Sequence, residues 1–261
     1  MDNIDKLKLS DAILKKAKEF GASLAGIASI DELKEAPSFT VAPRMAEYSG
    51  VGADGVVWPT GAKSVIVIAY AHPEEQPELD YWYSRNTLGN KKLTEIINKL
   101  AQWLQEYHDV SLFHLPYHIE RGGIYLKDAA VLAGLGCIGK NNLLITPEYG
   151  PRVRLKAMTI NIDLPSTGRL NFDPCVHCDQ RCIRVCPQNA FEKQIYTEEE
   201  YGRAELPGRK GNYNRIACNV QMRKDEDSAE FLKVGTSGDY IKVVKYCRRC
   251  ELSCPVGTKP T

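Results

Sequence analysis

Cys175-Val-His-Cys178-Asp-Gln-Arg-Cys182-Ile-Arg-Val-Cys186-Pro187 places four thiols within twelve positions and closes them with Cys-Pro. A second run, Cys247-Arg-Arg-Cys250-Glu-Leu-Ser-Cys254-Pro255, repeats the pattern one thiol short. Cys218 lies alone between the runs and supplies the missing one. Eight thiolates suffice for two four-cysteine iron–sulfur clusters, so one-electron chemistry is the first expectation for this chain.

The bacterial two-cluster spacing is C-x2-C-x2-C-x3-C-P, and its fourth cysteine ligates the other cluster. Here the first run reads C-x2-C-x3-C-x3-C-P and the second C-x2-C-x3-C-P. The preferred assignment therefore crosses the runs. One [4Fe-4S] cluster takes Cys175, Cys178, Cys182 and Cys254; the other takes Cys186, Cys218, Cys247 and Cys250. Ligation within each run is the alternative. Zinc is a further one, although zinc sites favour separated C-x2-C pairs. Disulfides fit poorly with an odd count of nine cysteines and a chain too long to need staples. Cys137, in a glycine-rich segment far away in sequence, reads as a small hydrophobe or a functional thiol.

At 261 residues the chain holds one or two domains. A hydrophobic content of 43% and a charged content of 26% are ordinary for a globular protein. The N-terminus has no apolar leader, and the longest apolar stretch, around residues 65–71, is too short to span a membrane. The expectation is a soluble cytoplasmic protein. The net charge of +1 hides a balance of +5 in residues 201–261 and −4 elsewhere. That excess would suit an acidic redox partner or nucleic acid. Two oxidised clusters with their thiolates add about −4, which offsets it.

Residues 1–165 read as mixed α and β, with an opening amphipathic helix (Leu9, Ile13, Ala17, Phe20). Strands are expected over 23–29, 64–70, 110–115, 143–145 and 152–162, and helices over 90–107 and 128–133. Residues 30–60 read as irregular, 163–174 as a linker, and Tyr81, Trp82 and Tyr83 as an aromatic cluster in a loop. Pro116 lies between His114 and His118 and removes their helical metal spacing. His177 sits between two cysteines, either tuning a cluster or facing solvent. Gly134-Leu-Gly136-Cys-Ile-Gly139 matches G-x-G-x-x-G, but it follows a helix and leads to a strand, the reverse of the dinucleotide-binding context.

The segment 127–141, KDAAVLAGLGCIGKN, resembles the AGLGxIGKN region of epoxyqueuosine reductases. PTGAKSVIVIAYAHP (59–73) is similar to their PGAxSVIV strand, and CPQNAF (186–191) to their CPTxAI. Reductive dehalogenases share the plan, and the resemblance covers roughly residues 60–255. It implies an α+β chain: a nitroreductase-like α/β domain for cobalamin and substrate (1–165), then a ferredoxin-like domain with two [4Fe-4S] clusters (166–261). It implies that a low-potential donor such as ferredoxin or flavodoxin feeds the clusters, then the corrinoid, then a small-molecule or nucleoside substrate. Asp128, five residues before Ala133, becomes the proton donor by resemblance. Its alternative role is to cap the helix that begins there. Gly136, Ile138, Gly139, Lys140 and Asn141 would border the corrinoid.

Three features depart from the family. Cys137 stands where a tryptophan or similar residue is usual, and an extra residue precedes Cys182. The sequence ends seven residues after Cys254, so the family's C-terminal helical-repeat region is expected to be absent. This leaves three readings: a corrinoid-dependent reductase, an electron-transfer protein that activates a corrinoid, and a minimal epoxyqueuosine reductase acting on tRNA.

Overall fold

A computed structural model of the chain describes residues 3–39, 56–108, 110, 112–234 and 239–258. Helix α1 (Asn3–Glu19) buries Leu9, Ile13 and Ala17, one residue per turn along one face. It stops at Gly21, whose φ of 108° is open to glycine. Strand β1 (Leu24–Ser29) follows, then a short helix α2 (Ile30–Lys34) in the stretch expected to be irregular. The Ser29 hydroxyl accepts from the Asp31 N–H, the N-cap bond that starts α2. Most of the remaining irregular stretch, 40–55, lies outside the described residues.

Strand β2 (Ser64–Ala71) is the centre of the molecule; residues 64–69 are buried. Then come β3 (Trp82–Tyr83), β4 (Asn86–Thr87), α3 (Leu88–His108), β5 (Leu112–His114), α4 (Leu126–Leu132), β6 (Cys137–Ile138), β7 (Leu144–Ile145) and β8 (Val153–Ile160). One antiparallel sheet has the order β1-β2-β8-β5, with Ile66 opposite both Ile27 and Met158. Alternation along β2 sends Ile66 and Ile68 to one face and Val65, Val67 and Ala69 to the other. The first face packs on α1 and on Leu93, Ile97, Leu100 and Leu104 of α3. The second packs on α2 and on Ala129 and Ala130 of α4. Both faces are covered, which is why β2 reads as an unbroken apolar run.

The C-terminal part has shorter elements: α5 (Arg181–Arg184), α6 (Glu198–Tyr201), α7 (Arg215–Asp227), β9 (Glu230–Val234), β10 (Asp239–Val244) and α8 (Arg249–Leu252). A second sheet, β4-β3-β10-β9, joins the two halves of the chain, with Trp82 opposite Val244 and Tyr83 opposite Val243. Trp82 and Tyr83 are therefore strand residues rather than loop residues; pairing with a segment 160 positions away is invisible to local pattern.

Candidate functional site

The one-turn helices α5 and α8 each carry one cysteine, Cys182 and Cys250, and pack against each other. Burial raises the Cys182 thiol to about 11, helped by the nearby Cys254, Cys178 and Cys175 thiols. Cys254 is raised by burial and then by Cys175 and Cys178. A second neighbourhood forms around Cys250, pushed up to about 12 by burial and then by Cys247, Glu251, Cys218 and Cys186. Cys247 is raised by burial, Asp225 and Cys218. Cys254 of the second run thus neighbours Cys175, Cys178 and Cys182 of the first, and Cys186 of the first neighbours Cys250 of the second.

Backbone N–H groups point at two of the sulfurs: Gln180 donates to Cys178 Sγ at 3.3 Å and Ala190 to Cys186 Sγ at 3.4 Å. Such bonds favour thiolate and tune cluster potential. Among the described residues no three His, Cys, Asp or Glu side chains converge as a single metal ion requires. A four-iron cubane spreads its thiolates wider than one ion does, and an all-thiol donor set suits it. His177 is exposed. Cys137 packs with Ile145, Cys175 and Cys254 despite its distance in sequence, and burial and then Cys175 push its thiol up to about 12.

Buried polar side chains pin the cysteine segments to the main sheet. Asn141 Nδ2 donates to the Cys250 carbonyl at 3.1 Å, and Arg152 Nη1 to the Cys254 carbonyl at 3.0 Å. Asp80 accepts from His72 Nδ1 at 2.9 Å and lies 2.7 Å from Arg154 Nη2. Arg248 Nη1 stands 2.6 Å from Asp80 Oδ2 without hydrogen-bond alignment. Glu251 completes the network, 2.9 Å from Arg154 and 2.5 Å from Arg248. Arg248 and Glu251 are visible in the sequence as neighbours of Cys247 and Cys250. Nothing in the sequence signals their partners on β8 and in the 77–80 turn.

Asp128 is the third residue of α4; Tyr125 occupies the N-cap position, with no side-chain cap bond. The capping role is therefore not what the structure displays. The Asp128 carboxyl is buried, and burial holds it above the ordinary carboxylate range against the Ser38 hydrogen bond and the Lys127 charge. Its Oδ2, the Tyr125 hydroxyl and Trp58 Nε1 are buried without hydrogen-bond partners among the described residues. Tyr125 neighbours Asp128 electrostatically, and Trp58 stacks on Phe39, next to Ser38. Lys127 Nζ donates to the Asn142 carbonyl at 2.6 Å, lies 5.9 Å from the Tyr213 ring centre, and is lowered to about 8 by burial. Tyr125, Lys127 and Trp58 carried no distinguishing sequence signal.

The glycine motif forms the β6–β7 hairpin, with Cys137 opposite Ile145. A Cβ on Gly136 would stand 2.0 Å from the Ile145 carbonyl oxygen, and one on Gly139 would stand 2.7 Å from Ile145 and Asn141 atoms. Both glycines permit this close backbone packing. The Asn141 amide is committed within the protein, while Ile138 and Lys140 are partly exposed.

No protein-family model matches the chain. It is 27% identical over 209 residues to the epoxyqueuosine reductase of Synechococcus sp. (strain RCC307), covering 73% of this chain and 63% of that protein. The chain spans about half the length of the curated relatives it matches. An epoxyqueuosine reductase solved with an epoxyqueuosine-modified tRNA-Tyr stem loop superposes with a TM-score of 0.65 at 21% identity, covering 97% of this chain and 66% of that one. A reductive dehalogenase whose structure suggests a mechanism for B12-dependent dehalogenation gives 0.60 at 17% identity, covering 96% and 32%. The chain is epoxyqueuosine reductase-like in sequence and shares the mixed α/β fold of both solved structures. No helix among the described residues is long and apolar enough to cross a membrane.

Proposed function

We propose that the chain is an oxidoreductase in which two [4Fe-4S] clusters deliver electrons to a corrinoid site for reduction of a nucleoside-type or small-molecule substrate. The observation that carries this is the meeting of the two cysteine runs: α5 packs on α8, and Cys254 of the second run is buried beside Cys175 of the first. Residues 166–261 supply those thiols, and residues 1–165 supply the corrinoid and substrate region. The relatives' names support the reductase class, and the B12-dependent dehalogenase of similar fold supports the corrinoid.

The unpartnered polar atoms of Trp58, Tyr125 and Asp128 suit a ligand rich in amide groups, such as a corrinoid, or its substrate. Ile138 and Lys140 are the glycine-motif residues with surface to offer it. A bound corrinoid supplies the low-potential metal centre that reductive bond cleavage needs. The chain's own part is positional. The eight thiolates hold the clusters, Asn141 and Arg152 hold the cluster segments against the sheet, and Asp128 is the acid that would donate a proton to the leaving atom. Burial favours the protonated carboxyl, the form that can donate.

Anaerobically prepared protein should contain about eight iron and eight sulfide; about four iron would sink the two-cluster assignment. Cobalamin added to that protein should give a base-off paramagnetic signal, and no binding would leave the electron-transfer reading without a corrinoid of its own. The Asp128→Asn variant should bind cobalamin and lose turnover. The similar structure holding a tRNA stem loop makes tRNA the first macromolecular substrate to assay. Binding that weakens steeply with salt would support it.

A further inference from the structure

We infer that the open groove between α5 and α8 is the docking surface for a small acidic one-electron carrier protein. The inference rests on the two-cluster reading above. The groove has a volume of about 630 Å³; its apolar lining is Val185, Pro187 and Leu252 beside Cys186, and Arg184 and Arg249 are its exposed basic residues. Cys186, assigned above to the second cluster, lines the groove and is partly exposed, so a protein seated there comes close to that cluster. Electron transfer demands close approach, and the groove offers it.

The charge around the groove selects the partner. Arg181, Arg184 and Arg249 are exposed on its α5 and α8 walls. Among the described residues only Asp179 answers the first two, 2.8 Å from Arg181 Nε and 3.5 Å from Arg184 Nη2. Arg249 has no carboxylate partner among the described residues. Arg248, which also lines the groove, is committed to Asp80 and Glu251. The exposed charge is therefore basic and the lining apolar. Exposed basic charge steers an acidic partner and accelerates encounter without tight binding. A small apolar lining suits the small interface of transient redox encounters. It has no aromatic platform on which a nucleic-acid base would stack, which argues against a single strand as occupant.

The step balances simply. The carrier loses one electron, the oxidised cluster behind Cys186 gains it, and no bond or proton moves.

The test uses the full chain with its clusters and, as probe, an acidic flavodoxin held as the hydroquinone, with cluster bleaching followed by stopped flow. The doubly reversed Arg184→Glu/Arg249→Glu variant should be reduced at least tenfold more slowly at low salt, with a flattened salt dependence. Its reduction by dithionite, which needs no docking, should keep the wild-type rate. An unchanged flavodoxin rate, or an equal slowing with dithionite, overturns the docking site. So does a short single-stranded RNA that binds the wild type but not the variant and blocks the flavodoxin. Iron analysis of the same samples separates the two claims. Eight iron with no charge effect removes the docking site alone, while protein without iron removes the cluster reading and the docking site with it.

Discussion

The main sheet and the cysteine segment are held by different physics. Around β2 the core side chains are apolar, buried and packed on both faces. Around α5 and α8 the helices are four residues long and the buried apolar set is small: Ile145 with two cysteines. Helices of one turn do not stand alone in water. What fixes them is polar: Asn141, Arg152 and the Asp80–Arg154–Arg248–Glu251 network on the sheet side, with the thiols proposed to bind iron on the other. The sheet is thus a self-sufficient base, and under the proposed function the cysteine segment is conditional on its clusters.

The hardest test of that difference is to remove the iron. Chelation under reducing conditions should abolish amide protection in residues 175–190 and 247–254, because cluster binding energy is folding energy there. Amides of β2 and β8 should remain protected. Hydrogen exchange that collapses in both regions together, or in neither, would break the comparison.

Next in size is the polar network. Asp80→Ala leaves Arg154 and Arg248 facing each other with one carboxylate fewer, and breaking a buried pair costs about 3–5 kcal/mol. Arg154 is about a third exposed, so water screens part of the loss and the lower end is expected. Denaturant unfolding reads it. The same residue predicts a pH effect. Burial raises the Asp80 carboxyl, but the His72 hydrogen bond and the Arg154 and Arg248 charges outweigh it and hold it below the ordinary range. A depressed acid stabilises the fold above its unfolded value of about 4, and that stability is lost as pH falls through the folded value. Asp80→Ala should therefore flatten the acid limb below about pH 4, and an unaltered limb would remove Asp80 as its cause.

Within the sheet region the sharpest probe is Gly26. A Cβ there would stand 2.0 Å from the Ala133 carbonyl oxygen, since α4 packs directly on β1. Gly26→Ala should cost about 1–3 kcal/mol by overpacking. Iron content should be unaffected, because the strain falls on the apolar side. Iron loss at unchanged stability would mean that the two regions are not separable in the way proposed.

Legibility in sequence follows the same divide. Periodicity exposed α1, β2 and α3 because each buries a regular face: Leu9, Ile13 and Ala17 recur every turn, and β2 is apolar on both sides. The cysteine runs were legible because ligand spacing is local. The long-range partners were not. Cys137 beside Cys175, Trp82 opposite Val244, and Arg154 on Asp80 depend on how distant segments are brought together. Short helix α2 was missed because five residues carry too little pattern, although Ser29 was a readable cap. At Asp128 the sequence could not separate proton donor from cap; its position inside α4 removes the cap, and its burial leaves the chemistry to be tested.

The smallest expected shift in stability is at Asp128, and its sign sets it apart from Asp80. Burial is the leading cause of its raised value, with the Ser38 hydrogen bond and Lys127 offsetting only part. A raised acid binds its proton more tightly in the folded state than in the unfolded one. Folding is then unopposed below about pH 4 and loses stability as pH rises toward the folded value, beyond which the full cost persists. Asparagine has nearly the same shape and no charge to bury. Asp128→Asn should therefore melt at a higher temperature than the wild type at pH 7, with the gap closing at low pH. Asp80→Ala should melt lower at neutral pH, with its gap also closing in acid. A melting temperature for Asp128→Asn that is unchanged or lower at pH 7 would mean the carboxylate is already satisfied as a charge. The preference for a protonated carboxyl, and with it the proposed donor role, would then lose its physical basis. A higher one with turnover lost would show a buried acid retained at a cost in stability, as expected where a site needs a neutral carboxyl more than the fold does.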